Sequence, residues 1–123
     1  MLIDFLRGKD KAIKYIEKVK GNSRLVTTSI NAFELYYGDF KYSKGVQKLD
    51  EFLPIEILPF TIIEAKKAAE LEAELESKGE VIGLKDVLIS SIVISNNCVI
   101  VTGNVKHFSR IQGVKVENWK MNG

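Results

Sequence analysis

Cysteine is nearly missing from this chain of 123 residues: Cys98 stands alone, which excludes an internal disulfide. With a single histidine beside it, the stock of ligands for a zinc cluster is missing too. Long hydrophobic runs are absent. A membrane span needs about 18 apolar residues in succession, and the longest candidates here are interrupted by Lys85, Asp86 or Asn96. A secretory signal is absent as well, because the opening Met1-Leu2-Ile3-Asp4-Phe5-Leu6-Arg7 carries a carboxylate within its apolar stretch and no small-residue cleavage site. The expected location is therefore cytoplasmic, with no membrane partner. Charge of one sign is not in excess: 18 basic against 16 acidic residues leave +2, which permits a nucleic-acid partner without arguing for one. What is present is a globular composition. At 46% hydrophobic and 28% charged, the chain has the apolar residues to offset ordering entropy, and its length predicts one domain over 1–123.

Hydrophobic spacing alternates between the two regular periods. Leu2, Ile3, Phe5 and Leu6 read as the tail of a helix stopped near Gly8, and Ala12, Ile13, Ile16 and Val19 repeat at helical spacing. Arg24–Thr27 reads as a short strand. Ser29 or Asn31 is positioned to cap the helix bearing Ala32, Phe33, Leu35 and Tyr36. A further helix holding Val46, Leu49, Phe52 and Leu53 must end before Pro54. Ile55-Glu56-Ile57-Leu58-Pro59-Phe60 reads as a short strand running into a turn. Ile63–Lys78 is the clearest helix, with its apolar stripe at Ala68, Leu71 and Leu75 and a stop at Gly79. The helix over about Lys85–Asn96 is apolar on most sides, so it should be buried on most sides. Cys98–Thr102 is nearly all β-branched, as in a strand covered on both faces, and Val114–Val116 reads as an edge strand. Strands alternating with helices predict an α/β domain with a mostly parallel sheet.

In open α/β sheets the ligand site lies beyond the carboxyl ends of the strands. Three polar residues meet that criterion: Glu34 in the helix after the first strand, Asp86 in the first turn of the apolar helix, and Asn104 two residues past Thr102. Singly, each has a plain structural explanation. Acidic residues favour helix starts, and asparagine after a strand is ordinary turn chemistry. Glu34 is harder to dismiss because Ala32, Phe33, Leu35 and Tyr36 surround it. Together the three offer the oxygen donors that Mg²⁺ or Mn²⁺ prefers, and such an ion can activate water against a phosphodiester.

Four segments in register carry a resemblance: Leu2–Gly8, Glu34-Leu35-Tyr36-Tyr37-Gly38, Ile82–Ile89, and Val101-Thr102-Gly103-Asn104-Val105-Lys106-His107-Phe108. In their order and spacing the chain resembles the PIN-domain proteins, specifically the VapC-type toxins of toxin–antitoxin pairs, from end to end. The resemblance implies a PIN-like, Rossmann-like α/β fold with a mostly parallel sheet flanked by helices. It also implies a metal-dependent endoribonuclease acting on RNA, a cognate VapB-like antitoxin, and a homodimer. Glu34 and Asp86 match the second and third acidic positions of the family, the metal ligands, and Asn104 matches the fourth, giving the catalytic set Glu34, Asp86 and Asn104. His107 stands where relatives often have Asp, and Ser90-Ser91 where small alanines are usual.

The family pattern opens with a hydrophobic strand ending in an Asp-Thr-Asn or Asp-Thr-Ser turn, whose Asp is the first metal ligand. The match in this chain begins after that point, and Asp4 corresponds to a later, structural position. The expectation is thus a chain lacking the first central strand and the first ligand. An internal Met taken as the start, a shortened chain completed by another protomer or segment, and a degenerate copy are the three explanations. A gap in the sheet leaves unpaired backbone groups, which predicts oligomerisation, strand rearrangement or lowered stability.

Two basic groups are candidates for RNA. Lys41 and Lys44, with Lys48 and the nearby Tyr36, Tyr37 and Tyr42, could pair phosphate contact with base stacking; the plain reading is a solvated face with packed or dimerising tyrosines. Lys106, His107 and Arg110 flank Asn104 and could steer an RNA backbone; they are equally explained as surface charge. His107 has no Ser or Cys partner and receives no catalytic role. The expectation is therefore a ribonuclease if the first Asp is supplied, and the alternative is a catalytically impaired binding module that meets antitoxin or RNA without cleaving.

Overall fold

In a computed structural model the chain is described over residues 26–42, 56–102 and 105–118. The expected helices before Arg24 and around Val46–Leu53, together with Asp4, Lys44, Lys48, Asn104 and Trp119, lie outside the described residues. The order of elements is β1 (Val26–Thr28), α1 (Ser29–Tyr42), β2 (Glu56–Leu58), α2 (Ile62–Ser77), α3 (Leu84–Ser95), β3 (Val99–Thr102), α4 (Val105–Phe108) and β4 (Lys115–Asn118). The chain divides into two compact units, Met1–Leu58 with Trp119–Gly123, and Pro59–Asn118.

The first unit pairs β1 with β2 in parallel, Val26 opposite Glu56 and Thr28 opposite Leu58, and α1 packs on this ribbon. Strand and helix join without a loop. Thr28 is both the last residue of β1 and the cap of α1, its hydroxyl accepting from the Asn31 backbone N–H at 3.0 Å and donating to Asn31 Oδ1 at 2.8 Å. The cap is thus neither Ser29 nor Asn31. A cap residue needs extended backbone, and the strand already supplies it at Thr28.

The second unit pairs β3 with β4, also in parallel, from Val99 opposite Lys115 to Thr102 opposite Asn118. Its core is made by α2, α3 and the strand behind them: Ala68, Leu71 and Leu75 of α2, Val87, Ile89, Ile92 and Val93 of α3, and Ile100 of β3 are all buried. The predicted stripe of α2 is the observed one. Both helices stop in the same way. Glu80 N–H bonds Leu75 O and Gly79 N–H bonds Glu76 O around a left-handed Gly79 (φ 69°), and Cys98 and Asn97 repeat the pattern on Val93 and Ile94 with Asn97 at φ 54°. β3 departs from expectation: Ile100 and Thr102 are buried while Val99 is 48% exposed, so the strand is covered on one face rather than two.

α2 starts with a reciprocal cap. Thr61 Oγ1 accepts from Ile63 N–H at 3.3 Å, and Glu64 Oε1 accepts from Thr61 N–H at 2.7 Å and from the Thr61 hydroxyl. These bonds favour the carboxylate, so Glu64 is held below its ordinary 4.5, the Thr61 hydroxyl contributing most and burial opposing. A group depressed in this way contributes stability that is present above 4.5 and is lost as pH falls through its lowered value. Unfolding midpoints of the wild type and Glu64→Gln are therefore expected to differ at neutral pH and to converge as pH falls well below 4.5. A gap that ignores pH would count against the cap.

α3 carries the opposite case. Ser90 is fully buried and its hydroxyl has no partner among the described residues, whereas the neighbouring Ser91 donates to Leu88 O at 2.6 Å. An unsatisfied buried hydroxyl costs about 1–3 kcal/mol. Ser90→Ala should accordingly stabilise the protein by about 1 kcal/mol in denaturant unfolding, and Ser91→Ala should not.

Candidate active site

The α3 helix runs back along the second unit so that its start meets the end of β3. Gly83 caps α3 with no side-chain bond, and Asp86 lies in the first turn. Past the carboxyl end of β3 the chain enters α4, a four-residue helix anchored by the buried Phe108. His107, on α4, sets its ring edge-on to Phe108 with centroids 5.4 Å apart and planes at 88°. Its Nε2 lies 2.6 Å from Asp86 Oδ2, closing a contact across 21 residues of sequence. Both side chains are half-buried, at 25% and 34% exposure, so the pair is partly desolvated and still open to solute.

The partner of Asp86 is thus on another element, α4. Lys106 and Arg110 are exposed on either side of His107, at the same end of β3. Asn104 falls between β3 and α4 in sequence and lies outside the described residues.

In the first unit Glu34 lies in the second turn of α1 and is half-buried. The outer side of α1 is aromatic. Phe33 and Tyr37, both more than half exposed, stack at 6.2 Å, and Lys41 Nζ lies 5.6 Å from the Tyr37 ring and 5.3 Å from that of Tyr42. Lys41 thus spends its charge over aromatic faces, and Phe40, 81% exposed, extends the same surface. Lys44 lies outside the described residues.

The donor chemistry of the described residues fits a divalent cation in kind. Asp86 offers carboxylate oxygen at an accessible helix start, with a hydrogen-bonded neighbour of the sort that metal-ligating carboxylates keep. Among the described residues no three His, Cys, Asp or Glu side chains gather at one point, so Asp86 is a single anchor. Glu34 belongs to the other compact unit. Sequence reasoning missed the bond of His107 to Asp86. The signal available was the histidine's place three residues after Asn104 in the segment that follows β3.

Comparison with known proteins gives consistent results. The family model described as "PIN domain" matches residues 1–114. A curated relative, ribonuclease VapC2 of Rickettsia felis, is 40% identical over 114 residues, covering 89% of this chain and 85% of that protein. The tRNA(fMet)-specific endonuclease VapC of Salmonella typhimurium is 32% identical over 101 residues, covering 79% and 76%. Among solved structures, VapBC2 from Rickettsia felis bound to a DNA fragment from their promoter superposes with a TM-score of 0.86 at 37% identity, over 96% of this chain and 92% of that one. VapBC-1 from nontypeable Haemophilus influenzae gives 0.83 at 26% identity, over 97% and 93%.

Proposed function

The chain belongs to the PIN-domain family, and from that premise we propose that it is an endoribonuclease of the VapC type, the toxin of a VapBC-type toxin–antitoxin pair. The observation that carries this is the 40% identity to a protein named as a ribonuclease across 89% of the chain. The family model runs through both compact units, which supports reading 1–123 as one PIN domain. Its partners are an RNA substrate and a VapB-like antitoxin, and a homodimer is its assembly. No described helix is long and apolar enough to cross a membrane. Substrate and antitoxin both belong to the cytoplasm, which is the proposed location.

Nucleases of this family depend on a divalent metal, and the oxygen donors here favour Mg²⁺ or Mn²⁺. Bound at the site, such an ion supplies positive charge against the phosphodiester and eases the deprotonation of water. Asp86 and Glu34 would supply carboxylate oxygens to it, and Asn104 an amide oxygen. Lys106 and Arg110, exposed beside the Asp86–His107 pair, neutralise backbone phosphates and draw the RNA toward that end of β3. Lys41 and Lys44 are further candidates for phosphate contact. The aromatic face around Lys41 favours base stacking there over a purely electrostatic role. The other reading, a binding module that does not cleave, is not favoured, since both curated relatives carry nuclease names.

Two measurements test this. Asp86→Asn and Glu34→Gln should each lower metal-dependent RNA cleavage by about two orders of magnitude while circular dichroism is unchanged. Unchanged cleavage in Asp86→Asn would overturn the assignment of the site. Lys106→Ala and Arg110→Ala should weaken RNA binding at low salt and each flatten the dependence of log K on log salt by about 0.7–1. An unaltered salt slope would remove these residues from the RNA path.

A further inference from the structure

Nothing in the family resemblance gave His107 a task, and the geometry points to one. A carboxylate in the first turn of a helix is drawn toward the helix's own unpaired N–H groups. In α3 the cap residue Gly83 offers no side-chain bond, and its carbonyl accepts from the Asp86 and Val87 N–H groups. The Asp86 carboxylate is nonetheless bonded elsewhere, through Oδ2 to His107 Nε2 at 2.6 Å. The imidazole is itself held: it sits on a short helix pinned by the buried Phe108 and rests edge-on against that ring at 5.4 Å. A bond to a carboxylate requires the ring proton on Nε2, so His107 is the donor. The bond thus restrains the carboxylate before any cation arrives, and part of the cost of ordering it is met in folding.

We propose that His107 is a positioning residue of the metal site, which orients Asp86 through the Nε2–H···Oδ2 bond and thereby raises the affinity for the divalent cation. This rests on the reading of Asp86 as a metal ligand. His107 acts through Asp86 rather than on the cation. Partners of this kind typically contribute about 10–100-fold to metal affinity.

The experiment is calorimetric titration of Mn²⁺ into the full chain and into His107→Phe, His107→Gln and Asp86→Asn, with pulsed electron paramagnetic resonance on the bound Mn²⁺. Circular dichroism checks that each variant is folded. His107→Phe should bind about 10–100-fold more weakly. His107→Gln, whose amide can donate to the same oxygen, should recover most of that loss, and the spectra should show no nitrogen coupling to manganese. Unchanged affinity in His107→Phe, or no recovery in His107→Gln, would overturn the proposal. Nitrogen coupling would overturn it differently, by making His107 a direct ligand. Failure of the underlying reading looks distinct: Asp86→Asn would then bind as the wild type does, or the unaltered chain would bind no Mn²⁺ at all.

Discussion

The second unit depends on the burial of α3. Val87 and Ile92 are completely enclosed, and Ile89 and Val93 nearly so, with α2 packed on the helix and β3 following directly from it. Each such side chain contributes about 1.5–3 kcal/mol when removed from water, so this helix outweighs any polar contact on its surface. Its register is set by that packing. Once Val87 is fixed in the core, Asp86 one residue earlier must emerge near the helix start, half-exposed, at the carboxyl end of β3. The position of the carboxylate is thus a consequence of hydrophobic packing, and only its final orientation is left to a hydrogen bond.

The two units solve one problem in different ways. A helix start needs partners for its N–H groups. In α1 the strand end provides them, because Thr28 closes β1 and caps the helix with one side chain. In α2 a reciprocal Thr61–Glu64 cap does it, using an acidic residue that is then committed to the backbone. In α3 the cap is a glycine without a side-chain bond, and the acidic residue of the first turn is turned to another element. Glu64 and Asp86 occupy equivalent helix positions, the third residue of their helices, and have opposite uses. The difference lies in the residue three places earlier, a threonine in one case and a glycine in the other.

Much of this was legible in the sequence. The period of Ala68, Leu71 and Leu75 gave the inward face of α2, the continuous apolar character of Val87–Ile94 gave the burial of α3, and the four segments in register gave the family. What escaped was local or long-range for identifiable reasons. The cap of α1 was displaced by one residue because strand and helix share Thr28, an overlap that separate strand and helix patterns do not reveal. β3 leaves Val99 toward solvent while Ile100 and Thr102 on its other face are buried, and composition cannot distinguish such a strand from one covered on both faces. α4 is a single turn, too short to show a period. His107 escaped for that reason and because its partner is 21 residues away, a contact made by the fold rather than by spacing.

The choice of residue at that contact has a physical logic of its own. Lys106 and Arg110 stand close to His107 in sequence, and either type of side chain could hold a carboxylate more strongly than an imidazole does. A fixed cation on Asp86 would also cancel the negative charge that attracts a divalent ion, so orientation would come at the expense of affinity. An imidazole can donate one hydrogen bond while carrying no charge. It restrains the carboxylate through that bond, and the half-buried setting strengthens the bond while leaving a path for solute. The permanently charged residues are kept to the exposed flanks, where phosphates can meet them. The residues within one turn of helix and its flank thus divide by setting: the imidazole faces the Asp86 carboxylate, and the cations face solvent.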